Sequence, residues 1–85
     1  MDRQLFIQIA DGLRKVYEQK PTEFWKTIGE SWGDCFDVEG QYIGIELTLL
    51  DESKQRLLYS LCIYVPSPVP HKYKQLFQIV VDKSD

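Results

Sequence analysis

The sequence predicts an α+β domain in which two N-terminal helices pack on an antiparallel meander of three to four strands. Three observations lead there. Apolar residues recur at helical spacing over residues 3–18 and again from residue 23. From residue 35 onward they alternate with polar ones in the manner of strands. A Glu-Gly dipeptide at 39–40 separates two such alternating runs, where a tight hairpin turn is required.

The first helix runs from residue 3 to 18 with Asp2 as its N-cap, since a short acceptor side chain there satisfies an orphan N–H of the first turn. Leu5, Phe6, Ile9, Ala10, Gly12, Leu13, Val16 and Tyr17 share one broad face, and Gln4, Gln8, Asp11, Arg14, Lys15 and Glu18 occupy the other. Ile7 falls among the polar residues and is the position to suspect if this helix meets a partner.

Lys20-Pro21-Thr22 ends that helix and starts the next, because the residue before proline is pushed toward extended geometry and threonine caps well. From Glu23 to about Ser31 the helical wheel gathers Phe24, Trp25, Ile28 and Trp32 within about 100°. This spacing makes the two tryptophans core anchors rather than a stacking site for a ligand. Gly33 is expected to end the helix.

Strands follow over 35–38 and 41–50, with Glu39-Gly40 as a two-residue turn in which glycine takes positive φ. Such a turn sets Val38 opposite Gln41 and Phe36 opposite Ile43. Phe36, Val38, Ile43, Ile45, Leu47 and Leu49 then line one face, while Cys35, Asp37, Tyr42, Gly44, Glu46 and Thr48 line the other. The third strand, 55–65, alternates Leu57, Tyr59, Leu61, Ile63 and Val65. Placing these beside Ile43–Leu49 pairs odd positions with odd ones, which a four-residue connection from Leu50 to Gln55 does not allow. A three- or five-residue connection, or a bulge, is therefore predicted.

The run Pro66-Ser67-Pro68-Val69-Pro70 reads as a stiff extended connector. Residues 71–82 fit both a helix (Tyr73, Leu76, Phe77, Val80, Val81) and a strand (Phe77, Ile79, Val81). Strand propensity of Phe-Gln-Ile-Val-Val favours a fourth strand.

Eighty-five residues make one domain over 1–85, and an apolar share of 44% is enough to build a core, which argues against disorder. No apolar run approaches membrane-spanning length, and the first residues carry no basic-then-apolar leader, so a soluble, cytoplasmic protein is expected. With two cysteines, Cys35 and Cys62, neither a disulfide framework nor a metal site is expected; the single histidine, His71, has no ligand neighbours at metal spacing.

Catalytic signatures are missing too. The five glycines are dispersed, so no phosphate-binding loop forms, and there is no nucleophile elbow. Cys35 with His71, or the carboxylate pairs Asp34/Asp37 and Asp51/Glu52, are the only conceivable groups, and turn and strand positions explain them without catalysis. No enzyme, cofactor or catalytic residue is expected. Nucleic acid is disfavoured by a net charge of −3; Lys72-Tyr73-Lys74 is better read as protection of an edge strand.

A protein-binding role remains. The even-numbered face would carry Tyr42, Glu46, Thr48, Leu58, Ser60, Cys62 and Tyr64, with Leu76 and Val80 added by a fourth strand, and it is more apolar than a solvent face needs. Charge is also segregated. Residues 18–53 hold nine acids against two bases, which offers Asp34, Asp37 and Glu39 as an acidic surface able to steer a basic partner. The expected function is a non-enzymatic protein-interaction domain, such as a stoichiometric inhibitor, immunity-type protein or adaptor, with self-association through the sheet as one form of it. The alternative is a small-molecule binding or sensing domain with a pocket between helices and sheet lined by Trp25, Trp32 and Tyr59.

Overall fold

The computed structural model of the chain describes residues 1–66 and 73–83. Its elements are α1 (Arg3–Glu18), α2 (Thr22–Ile28), β1 (Ser31–Val38), β2 (Gln41–Glu52), β3 (Arg56–Tyr64) and β4 (Lys74–Asp82). The strands form one antiparallel sheet in the order β1-β2-β3-β4, so the α+β meander with N-terminal helices is what the chain adopts, and residues 74–82 are a strand.

α1 begins as the residues dictate. The Asp2 carboxylate accepts the Leu5 N–H at 2.8 Å, and the Asp2 carbonyl accepts the Phe6 N–H at 3.1 Å. Its polar side is tied by Arg14 and Lys15 to Asp11 and by Arg14 to Glu18, at helical spacing. The buried stripe is narrower than the wheel implies. Phe6, Ala10 and Tyr17 are buried, Ile9 and Leu13 half-buried, and Leu5 and Val16 exposed, because a helix lying on a flat sheet buries only its underside.

The second helix is shorter than expected. It spans Thr22–Ile28 with Pro21 at the cap position, and Gly29 ends it at φ 72°, ψ −143°, a backbone state open to glycine alone. Trp32 and Gly33 therefore belong to β1, not to the helix. Trp32 still reaches the core, because in β1 it pairs with Leu47 and its side chain falls toward the helices. There it packs 6.0 Å from the Tyr17 ring and 5.5 Å, edge-on, from Phe24.

The β1–β2 hairpin has the predicted register, with Val38 opposite Gln41 and Phe36 opposite Ile43. Glu39 (φ 52°) and Gly40 (φ 82°) both take left-handed geometry, the turn whose twist matches the strands. The Asp37 carboxylate accepts the Gly40 N–H at 2.8 Å and holds the turn closed.

Between β2 and β3 a bulge resolves the parity conflict. Ile45, Leu47 and Leu49 face Ile63, Leu61 and Tyr59, and the register then slips so that Asp51 faces Leu58 and Glu52 faces Leu57. Leu50 is the inserted residue. The odd-numbered face thus stays in phase across the sheet, and both helices cover it. Ile43, Ile45, Leu47, Leu61 and Ile63 are fully buried there beneath Phe6, Ala10, Tyr17 and Trp25. Each such side chain contributes about 1.5–3 kcal/mol.

The expected stiff connector over 66–70 lies, beyond Pro66, outside the described residues, as do His71 and Lys72.

Candidate functional site

The face of the sheet opposite the helices has no described element over it. Strand alternation sends even-numbered residues of β2, β3 and β4 to this side, together with odd-numbered residues of β1. Read across the sheet, one row is Cys35, Gly44, Tyr64 and Lys74; the next is Gly33, Glu46, Cys62 and Leu76; the next is Ser31, Thr48, Ser60 and Gln78; the last joins Asp51, Leu58 and Val80. Tyr42 stands beyond the first row, opposite Asp37.

Its exposed apolar residues are large. Tyr42, Leu76 and Val80 are 59%, 62% and 61% exposed, and Leu50 is 50% exposed. Leu50 joins them because the bulge turns two successive residues, Leu50 and Asp51, toward this side. Leu50 lines one shallow depression with Ser60, Leu76 and Gln78, and Asp51 lines an adjoining one with Arg56, Leu58 and Val80. The odd–even mismatch between β2 and β3 is the signal in the sequence that the connection near residue 50 had to be of odd length or bulged, and the bulge is what re-aims Leu50.

At the other end the tyrosines set the shape. The Tyr64 ring lies flat over Gly44: a Cβ at that position would fall 2.3 to 2.7 Å from the ring atoms Cζ and Cε2 and the hydroxyl. Glycine is needed there so that the ring can lie down. Burial, and then the nearby Glu46 carboxylate, push the Tyr64 hydroxyl pKa above its ordinary value of 10.0, and that hydroxyl donates to Glu46 Oε1 at 3.4 Å. Cys62 is buried beside it, and burial raises its thiol pKa from 9.0; Cys35 is an exposed free thiol. No family model, curated protein or solved structure matches this chain.

Of the partner-binding candidates, Tyr42, Glu46, Leu58 and Tyr64 share this face, and Asp37 adjoins it through Tyr42. Asp34 projects from β1 toward the helix side, and Glu39 sits at the hairpin tip. The acidic trio is therefore not one surface. Asp34 and Asp37 also have local tasks, since their carboxylates accept the N–H groups of Cys35 and Gly40, each at 2.8 Å.

Trp25 and Tyr59, from the alternative pocket, do meet. Their ring centroids are 4.9 Å apart, and both are almost completely buried. The Tyr59 hydroxyl donates to the Gly29 carbonyl at 2.5 Å, with the Trp25 carbonyl 3.2 Å away, so it ties the end of α2 to the sheet. An open groove of about 240 Å³ runs beside them, walled by Lys26, Glu30, Glu52, Leu57 and Lys83. Trp32 does not line that groove; its ring belongs to the Tyr17–Phe24 cluster. Among the described residues no group of three His, Cys, Asp or Glu side chains is placed to hold a metal ion, and no helix is long and apolar enough to cross a membrane.

Proposed function

We propose that this chain is a non-enzymatic protein-interaction domain, working as a stoichiometric inhibitor, an immunity-type protein or an adaptor, and that its partner docks on the sheet face opposite the helices. One observation carries the reading. Leu50, Leu76 and Val80, each half or more exposed, line adjoining depressions of one sheet face, and Tyr42, also more than half exposed, stands at the other end of that face. Scattered exposed apolar residues need no explanation, but a set held on one surface marks a contact area. Leu58 and Tyr64 extend it inward, and Glu46 and Asp37 lend it polar hydrogen-bonding groups. A sheet is already ordered before binding, so little conformational entropy is lost on contact.

The test is affinity capture with the tagged domain, comparing the unaltered chain with Tyr42→Ser/Tyr64→Ser and with Ile7→Ser on the helix side. A single stoichiometric partner lost with the tyrosine pair and kept with Ile7→Ser supports the reading. A partner kept by the tyrosine pair, or no partner at low or moderate salt, overturns it.

The small-molecule alternative draws on the groove beside Trp25 and Tyr59. It stands second because those rings are occupied with each other and with the end of α2, and two of the remaining charged wall groups, Lys83 and Glu52, are paired with each other.

A further inference from the structure

The two edge strands of the sheet are treated differently. In β1 the even-numbered residues bond to β2, as the two-residue turn beyond Val38 and the Leu49 N–H donation to the Glu30 carbonyl at 2.8 Å both require. Its outward backbone therefore belongs to Ser31, Gly33, Cys35 and Asp37. The Asp34 carboxylate already accepts the Cys35 N–H, so that edge donor is satisfied within the chain. A second β1 laid antiparallel in full overlap would set Asp34 against its own copy, and like charges directly opposed destabilise a strand pair. The β1 edge is thus short of one donor and disfavoured in that register.

Among the described residues the β4 edge is open. The Val65 N–H donates to the Tyr73 carbonyl at 3.1 Å and the Lys83 N–H to the Gln55 carbonyl at 2.7 Å, in the same register that pairs β3 with β4. Odd-numbered residues of β4 therefore bond to β3, and Lys74, Leu76, Gln78, Val80 and Asp82 turn their backbone groups outward. Between Gln75 and Val81 there is no charge, no proline and no bulge, the devices that usually keep an edge from pairing. Among the described residues, no element pairs with this edge.

We infer that β4 pairs antiparallel with β4 of a second copy of this chain, about a two-fold axis at Gln78, joining two sheets into one. Outward residues can bond only to outward residues, so only a few registers exist. The one that uses every outward residue sets Gln78 opposite its counterpart, Leu76 opposite Val80 of the other copy, and Lys74 opposite Asp82 of the other copy. Opposite charges then meet at both ends of the paired strands, and up to about ten backbone hydrogen bonds form between them. Asp82 already faces Arg56 across β3, so signs alternate Arg56, Asp82, Lys74 along that row. Sliding by two residues either way places Lys74 opposite Val80 or Asp82 opposite Leu76, and loses hydrogen-bonded pairs. Charge and hydrogen bonding select the same register. The two-fold also keeps both helix layers on one side and makes the opposite face continuous across the pair.

This inference goes beyond the proposed function, because it uses the edge of the sheet and not its face; either can fail alone. Sedimentation equilibrium from micromolar to millimolar protein should show a reversible species of twice the 10.0 kDa protomer mass. Hydrogen exchange over the same range should slow at the amides of Leu76, Gln78 and Val80 and leave Phe77 and Ile79, already bonded to β3, unchanged. Lys74→Glu places like charges at both ends and should weaken the dimer by about tenfold or more, and adding Asp82→Lys should restore it. Gln78→Pro removes the outward N–H at the axis and should abolish the dimer. Its fold is checked by circular dichroism, and should it not fold, the charge reversal and its rescue decide. Tyr42→Ser, away from the edge, should leave the dimer intact. A monomer at every concentration, a dimer indifferent to Lys74→Glu, or open-ended polymers in place of a dimer would each overturn the pairing.

Discussion

Replacing Tyr59 with phenylalanine removes one oxygen from the interior and should cost far more than its size suggests. The Tyr59 hydroxyl has a single proton, which it directs to the Gly29 carbonyl at 2.5 Å, with the Trp25 carbonyl at 3.2 Å as a second acceptor. Both carbonyls belong to the end of α2, where a helix has no further N–H groups to offer. Without the hydroxyl, the end of α2 loses its tie to the sheet while the Trp25 and Tyr59 rings keep their contact. The Gly29 bond is part-buried and the Trp25 carbonyl buried, so the loss falls between about 1 kcal/mol for a net hydrogen bond and the roughly 1–3 kcal/mol of an unsatisfied buried acceptor, and about 1–2 kcal/mol is expected. For a domain of this size that lowers Tm by roughly 10 °C. Urea unfolding followed by tryptophan fluorescence reads it directly, because Trp25 reports α2. A loss under about 0.5 kcal/mol, within the scatter of ordinary surface substitutions, would refute the argument that this hydroxyl anchors the helix end.

Four further outcomes follow from the same structure. Gly29→Ala should destabilise by about 1–3 kcal/mol in chemical unfolding, since φ 72°, ψ −143° strains any side chain, whereas Gly12→Ala, in a helix with open space at its Cβ, should stabilise by about 0.5–1 kcal/mol. Burial is the largest cause raising the hydroxyl pKa values of Tyr17, Tyr59 and Tyr64 above 10.0, so the folded chain keeps these protons longer than the unfolded one. The stability they confer is complete below pH 10 and declines as pH rises past it, which melting curves taken through the alkaline range would record. A thiol reagent should label Cys35 rapidly and Cys62 only on unfolding, because the first is exposed and the second buried with a raised pKa. If the groove beside Trp25 holds a metabolite, a panel followed by melting temperature will show a ligand-dependent rise, and a flat panel removes that alternative.

Much of this architecture was legible in the residues themselves. The Asp2 cap, the Glu39-Gly40 turn and the register it imposes rest on local rules: a short acceptor before a helix, two left-handed residues between two strands, and a strict two-residue alternation. Parity alone required a three- or five-residue connection or a bulge between β2 and β3, without choosing among them. The end of α2 was less legible, because Trp32 lies seven residues after Trp25, and a helix or a strand starting from Gly29 brings it to the same aromatic cluster.

Alternation by itself also divided the sheet into an apolar side and a mixed one, and so put Tyr42, Glu46, Leu58 and Tyr64 on one face before any coordinates. What it left open was whether both helices would lie on the odd-numbered face, as the apolar alternation favoured, or one on each face, since helix placement depends on long-range contacts that no local pattern encodes. Only the tertiary structure put α1 and α2 on the same face and left Leu50, Leu76 and Val80 in the open. It also decided that β1 and β4 are the edges, that Asp34 satisfies one outward donor of the first, and that no described strand pairs with the second. Side-chain periodicity is written one residue at a time, whereas coverage and edges belong to the assembled sheet.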